Sequence, residues 1–97
     1  MQAIKRLEII TGPIEFRNLV AELEANGITG YAVVRNVLGK GDKKVHSWDS
    51  LSSETENLMV ITTIPAERLH QVVEAIRPVL KQFGGACLVS DAMWVIH

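Results

Sequence analysis

Two helical stripes of apolar residues, each lying between runs with strand chemistry, constrain this chain more than any single motif. Phe16, Leu19, Val20 and Leu23 recur at the spacing of one helix face, and Leu69, Val72, Val73, Ile76, Leu80 and Phe83 do the same in the second half. The first stripe predicts a helix over about 13–26, with Pro13 in its first turn, Thr11 as a nearby cap candidate and Gly27 as its stop. Glu15, Arg17, Glu22 and Glu24 then form a solvated face. The second helix closes at Gly84-Gly85. Pro78 within it predicts a kink or local break, because proline lacks the backbone donor and its ring meets the carbonyl of Glu74.

Around these helices, residues 2–11 alternate as a strand, with Leu7 and Ile9 opposed to Arg6 and Glu8. Further strands are expected over 28–38, 57–64 and 86–96. The order β-α-β-β-α-β predicts an α+β, ferredoxin-like fold, two helices on one face of a four-stranded antiparallel sheet. With 97 residues, 47% of them hydrophobic, one core is affordable and a second catalytic domain is not, so a single domain over 1–97 is expected. In the middle strands Tyr31, Val33 and Val37 fall on one side and Ala32, Val34 and Leu38 on the other, while Met59 and Ile61 oppose Leu58 and Val60. Both sheet faces therefore read as apolar, yet two helices cover only one. A closed symmetric oligomer would cover the second.

Charge and cysteine content exclude other classes. A net charge of −1 and a pI near 6.3 argue against a nucleic-acid reader, whose basic surface usually pushes the pI above roughly 9. The lone Cys87 builds neither a disulfide framework nor a zinc site. Met1-Gln2-Ala3-Ile4-Lys5-Arg6 is unlike a signal peptide, and no run approaches the ~18 apolar residues of a membrane span. A soluble cytoplasmic protein without membrane insertion is the expectation.

The stretch from Gly39 to about Glu56 has two glycines, four serines and alternating charges, so it buries little. Structureless loops longer than roughly 12–15 residues in compact domains are usually functional or disordered. Gly39-Lys40-Gly41 at its start is either a strand-to-loop turn or an anion cradle, with backbone N–H groups and the lysine facing a phosphate. Gly84-Gly85 is likewise either a helix stop or part of an effector pocket, and Lys81 either a cation at a helix C-terminus or a phosphate contact. His46, Trp48 and Asp49 sit in the polar loop, where a tryptophan suits a partner anchor or folds back on its own assembly. Asp49, Glu54 and Glu56 with His46 read as solvated charges rather than a metal site. Cys87 and His97 lack an orienting third group, His70 reads as a surface residue, and Asp91 reads as a charge at an oligomer axis or the helix interface. No catalytic constellation emerges, so an enzyme is not expected.

The run Gly27-Ile28-Thr29-Gly30-Tyr31-Ala32-Val33, following an amphipathic helix and leading through Gly39-Lys40-Gly41 into a long polar loop, resembles the PII signal-transduction proteins. With the stretch Phe83 to Asp91 it is most similar to the short PII-like proteins associated with carbon uptake and carboxysomes, and the likeness covers nearly the whole chain. The resemblance implies a homotrimer with an effector in the clefts between subunits. That effector would be an adenine nucleotide (ADP, AMP, ATP or cyclic AMP), with bicarbonate as a further candidate and no obligatory cofactor.

It also implies that 39–56 is the T-loop, which docks on a protein target such as a transporter or enzyme, and that 81–85 is the B-loop, which reaches phosphates from the neighbouring subunit. Ala32, Gly39, Lys40, Gly41, Lys81, Gly84 and Gly85 are the implied ligand contacts, and His46, Trp48 and Asp49 the partner contacts. Two departures stand out: Ala86 occupies the place of a family lysine, and the sequence ends at His97 without the family's C-terminal arginines. The only tyrosine, Tyr31, lies in a strand, so the family's T-loop uridylylation is not expected. Two other readings remain open, a CutA-like divalent-metal trimer using His46, His97 or Cys87, and a trimeric scaffold without ligand.

Overall fold

A computed structural model describes residues 1–37 and 57–96. Its elements are β1 (Gln2–Thr11), α1 (Phe16–Ala25), β2 (Ala32–Val34), β3 (Leu58–Ile64), α2 (Leu69–Phe83) and β4 (Ala86–Trp94), with a short 3₁₀ turn, Ala66–Arg68, leading into α2. The strands form one antiparallel sheet in the order β2-β3-β1-β4, the ferredoxin-like arrangement expected.

Register explains which residues are inside. Leu7 stands opposite Thr62 and Val89, and Ile9 opposite Val60 and Cys87, on the face that receives the helices. These join Leu19 and Leu23 of α1, Val72 and Ile76 of α2, and Ile28, Val60 and Ile64 in one buried cluster. β3 shows the period of two cleanly, with Leu58, Val60, Thr62 and Ile64 buried and Met59, Ile61 and Thr63 half-buried on the other face.

The helix boundaries differ from the sequence reading for identifiable reasons. Residues 13–15 form a turn in which the Phe16 N–H bonds the Gly12 carbonyl at 3.1 Å, so α1 proper starts at Phe16 rather than Pro13. Thr11 is not its cap: it is the last residue of β1, and its buried hydroxyl donates to the Gly12 carbonyl at 3.3 Å. At the other end Gly27 adopts φ +81°, and the Gly27 and Ile28 N–H groups bond Glu24 and Leu23 carbonyls at 3.0 and 2.9 Å. This is a Schellman stop, and it draws Ile28 into the core. α2 also ends in left-handed backbone, with Gly84 at φ +84°, and there the Gly84 and Gly85 N–H groups share the Leu80 carbonyl.

Pro78 does not break α2, which runs through it for 15 residues. Pro78 and Glu74 are both exposed, so water can satisfy the carbonyl that the missing donor leaves free. β4 stops at Trp94 rather than Ile96, because Trp94 already pairs with Gln2, the first residue of β1.

Candidate functional site

The largest departure from the sequence reading creates the site. The second strand was expected over 28–38, but β2 spans only Ala32–Val34, pairing with Ile61, Val60 and Met59. Two local events shorten it. With Ile28 pulled into the core, residues 28–31 cross toward β3 without joining its ladder, tied instead by the Thr62 hydroxyl, which donates to the Gly30 carbonyl at 2.7 Å. At the other end Asn36 takes a left-handed φ of +58°, and the Val37 N–H reaches the Asn57 carbonyl at 2.9 Å. Val34 opposes Met59, so continued pairing would set Asn36 against Asn57; the contact comes one residue late, as at a β-bulge. The alternation that placed Val33 and Val37 on one side therefore does not carry across Asn36. Leu38 and the segment 39–56 lie outside the described residues.

Because β2 stops short, the end of β3 past Ile61 has no strand partner on that side, and an open cleft of about 550 Å³ forms there. Residues 27–32 make one wall and residues 61–65 the other, with Arg68 and Trp94 at the ends. Hydrogen bonds tie Arg68 to the end of α1: Arg68 donates to the Asn26 carbonyl, Gln71 Nε2 donates to Asn26 Oδ1 at 3.1 Å, and Asn26 Nδ2 donates back to the Glu22 carbonyl. A guanidinium beside the negative end of a helix dipole is well placed. Gly27 lets it approach, since a Cβ there would stand 3.3 Å from the Arg68 guanidinium. The lining is mostly apolar and aromatic with threonine hydroxyls, and its volume falls in the usual range for small-ligand sites, roughly 300–1,000 Å³.

Of the ligand contacts read from sequence that fall among the described residues, only Ala32 lies in this cleft. Lys81, Gly84 and Gly85 stand at the opposite end of the sheet, where Ala86, Ile10, Met59 and Val34 form one row across β4, β1, β3 and β2. The chain leaves for residues 38–56 at that same end but on the opposite edge. Gly85 has a packing reason to be glycine, because a Cβ there would meet the Ile10 carbonyl oxygen at 2.3 Å and the Phe83 ring at 2.9 Å. Gly12 faces the same ring, with a Cβ placed 2.6 Å from it. Gly39, Lys40, Gly41, His46, Trp48 and Asp49 lie outside the described residues, as do Glu54, Glu56 and His97.

Thr29, Thr63, Arg68 and Trp94 were not singled out from sequence as ligand contacts. Their only signal was the Gly27-Ile28-Thr29-Gly30 run itself; the rest needed the shortened strand.

The remaining side chains are placed as follows. Asp91 opposes Lys5 on the helix side of the sheet and accepts from its ammonium at 2.5 Å, so its charge is matched within the chain. Cys87 is partly buried opposite Ile9, and that burial raises its thiol above the ordinary value. His70 is exposed on α2. Among the described residues, no three or more His, Cys, Asp or Glu side chains converge as metal ligands. No helix among them is long and apolar enough to cross a membrane.

The outer sheet face is less uniformly apolar than the sequence suggested. Val34, Leu88 and Trp94 are exposed there and Met59 and Ile61 half-exposed, but Arg6 and Glu8 hold the centre, with Arg6 Nε 3.0 Å from Glu8 Oε1. That nitrogen is buried and makes no hydrogen bond among the described residues.

Comparison with known proteins decides the family. The model of the P-II nitrogen regulatory proteins matches residues 4–96. The chain belongs to the P-II family. Among solved P-II structures, CPII from Thiomonas intermedia bound to ADP, AMP and acetate is 24% identical with a TM-score of 0.81, covering 98% of this chain and 91% of that one. CPII bound to ADP and bicarbonate is 25% identical with a TM-score of 0.77, covering 95% and 88%. The GlnK–ATP complex of B. subtilis is 23% identical with a TM-score of 0.67, covering 93% of this P-II chain and 83% of GlnK. No curated protein sequence matches.

Proposed function

We propose that this P-II protein is a homotrimeric cytoplasmic regulator that binds an adenine nucleotide in clefts completed between subunits and signals occupancy to a partner protein through residues 39–56. The observation that carries the reading is the cleft between residues 27–32 and 61–65, sized and lined for a nucleobase. One chain alone cannot hold a whole nucleotide with the contacts expected. Along β4, eight residue steps separate Ala86, beside Gly84 and Gly85, from Trp94 at the cleft, about 26 Å at the strand rise. That exceeds an extended nucleoside triphosphate, so the base cleft of one copy would be joined by Lys81, Gly84 and Gly85 of the next, with Gly39, Lys40 and Gly41 at the loop base.

The exposed Val34 and Leu88 on the outer sheet face favour burial between copies. CPII with ADP, AMP, acetate or bicarbonate and GlnK with ATP supply the ligand candidates. Ala86, in place of a family lysine, favours ADP or AMP over ATP here. The role is regulatory rather than enzymatic, with His46, Trp48 and Asp49 as partner contacts.

The test is thermal unfolding of the purified protein with millimolar ATP, ADP, AMP or cyclic AMP, each with and without bicarbonate, together with mass by light scattering. A ligand selective for the folded state raises stability by about 2.7 kcal/mol at a hundred times its dissociation constant. A trimer mass and a rise in Tm with at least one nucleotide are expected. No shift with any of them rejects the nucleotide reading, and a monomer mass rejects the shared cleft. Replacing Gly39 or Gly41 by valine is expected to abolish binding while leaving the trimer intact.

A further inference from the structure

We infer that Trp94 is a ligand contact, its indole stacking on the planar heteroaromatic ring of the effector and selecting bicyclic over monocyclic bases. This rests on the nucleotide reading above and deepens it. Trp94 ends β4, opposite Gln2, and is 51% exposed. It belongs neither to the buried core cluster nor to the partly buried residues packed against it, so about half of its large apolar surface is left outside the fold. It lines the one cleft in which Tyr31, the chain's only tyrosine and itself partly exposed, is also found.

The polar chemistry of the cleft points to an uncharged ring. Among the described residues no acidic side chain lines it, and Arg68, the one cation there, has its guanidinium turned to the Asn26 carbonyl. The hydroxyls of Thr29 and Thr63 make no hydrogen bond among the described residues, and a hydroxyl can both donate and accept. An aromatic wall and uncommitted hydroxyls suit the face and edge of a planar base. Stacking on an aromatic side chain tolerates any base in principle, but a bicyclic ring offers the indole more overlap than a monocyclic one.

The test is calorimetric titration of the full chain with AMP, ADP and UMP, comparing the wild type with Trp94→Ala and Trp94→Phe, each checked for mass by light scattering. Trp94→Ala is expected to weaken AMP binding at least about fivefold, the lower end for loss of a base-stacking aromatic, and to shrink the AMP-to-UMP preference. Trp94→Phe is expected to keep most of the affinity, and Trp48→Phe, which leaves Trp94 as the sole tryptophan, is expected to change its emission when ADP is added. If the wild type binds and Trp94→Ala binds equally well with the same preference, the inference is wrong and the nucleotide reading stands. If Trp94→Ala changes mass instead, the emission of Trp48→Phe decides, and an emission that ADP leaves unchanged overturns the stacking role. A wild type that binds no nucleotide removes the functional reading and the inference with it.

Discussion

Replacing Gly85 by alanine separates two reasons for a glycine at the start of β4. If Gly85 serves only to let a ligand phosphate approach, the ligand-free protein should tolerate a methyl group there. The structure says otherwise, because the added Cβ would stand 2.3 Å from the Ile10 carbonyl oxygen. The shortest comfortable C···O contacts are about 3.3 Å, so roughly 1 Å must be found. Neither side yields cheaply: Ile10 is paired with both Met59 and Ala86, and the Phe83 ring, 2.9 Å away, is itself crowded by Gly12. Overpacking of this kind costs typically 1–3 kcal/mol, and a clash with paired backbone belongs near the top, about 3 kcal/mol. For a domain of this length each kcal/mol lowers Tm by about 4–8 °C, so Gly85→Ala is expected to melt roughly 12–24 °C below wild type. Gly30→Ala is the control, since nothing lies within 4 Å of its added Cβ, and it should melt with the wild type. The assay is thermal unfolding by far-ultraviolet circular dichroism without nucleotide, at one protein concentration for all variants. A Gly85→Ala protein indistinguishable from Gly30→Ala would refute the packing argument and return Gly85 to the ligand.

Three further outcomes follow from the same coordinates. Ile76, fully buried on α2, should lose about 2–5 kcal/mol in urea unfolding when replaced by alanine, and a loss under 1 kcal/mol would mean the helix face is not where it is placed. Cys87, its thiol raised by burial, should react slowly with a disulfide reagent at neutral pH; in the unfolded chain the thiol ionises first, so stability should decline as pH rises past about 8.5, and Cys87→Ala should flatten that decline. Lys5→Ala should cost no more than about 1 kcal/mol despite the short contact to Asp91, because that carboxylate is largely exposed, and a larger loss in salt would show the pair is not screened.

Much of the fold was legible in residue order because it rests on local physics. Gly27 and Gly84 end their helices in left-handed backbone, a geometry that glycine adopts without penalty, and both stops were read correctly. The opposition of Leu7 and Ile9 to Arg6 and Glu8 in β1, and of Leu58 and Val60 to Met59 and Ile61 in β3, follows from strand period alone and fell where expected; which side of β3 is the core did not. The miss at Thr11 has an equally local cause, since a threonine that ends a buried strand spends its hydroxyl on the adjacent carbonyl.

What composition and periodicity determined by themselves was the set of elements, their order and the core faces, because helix stops, strand alternation and apolar stripes are properties of neighbours in the chain. The family likeness was legible too, through the Gly27-Ile28-Thr29-Gly30 run and the Gly39-Lys40-Gly41 segment. Only tertiary structure decided where β2 stops. A β-branched run from Ile28 onward reads as one long strand until the core claims Ile28 and Asn36 bulges the ladder. The unpaired end of β3 and the cleft beside it are consequences of that truncation, and Trp94 arrives there through the pairing of β4 with β1. They depend on contacts between residues dozens of positions apart, and a local pattern carries no information about those.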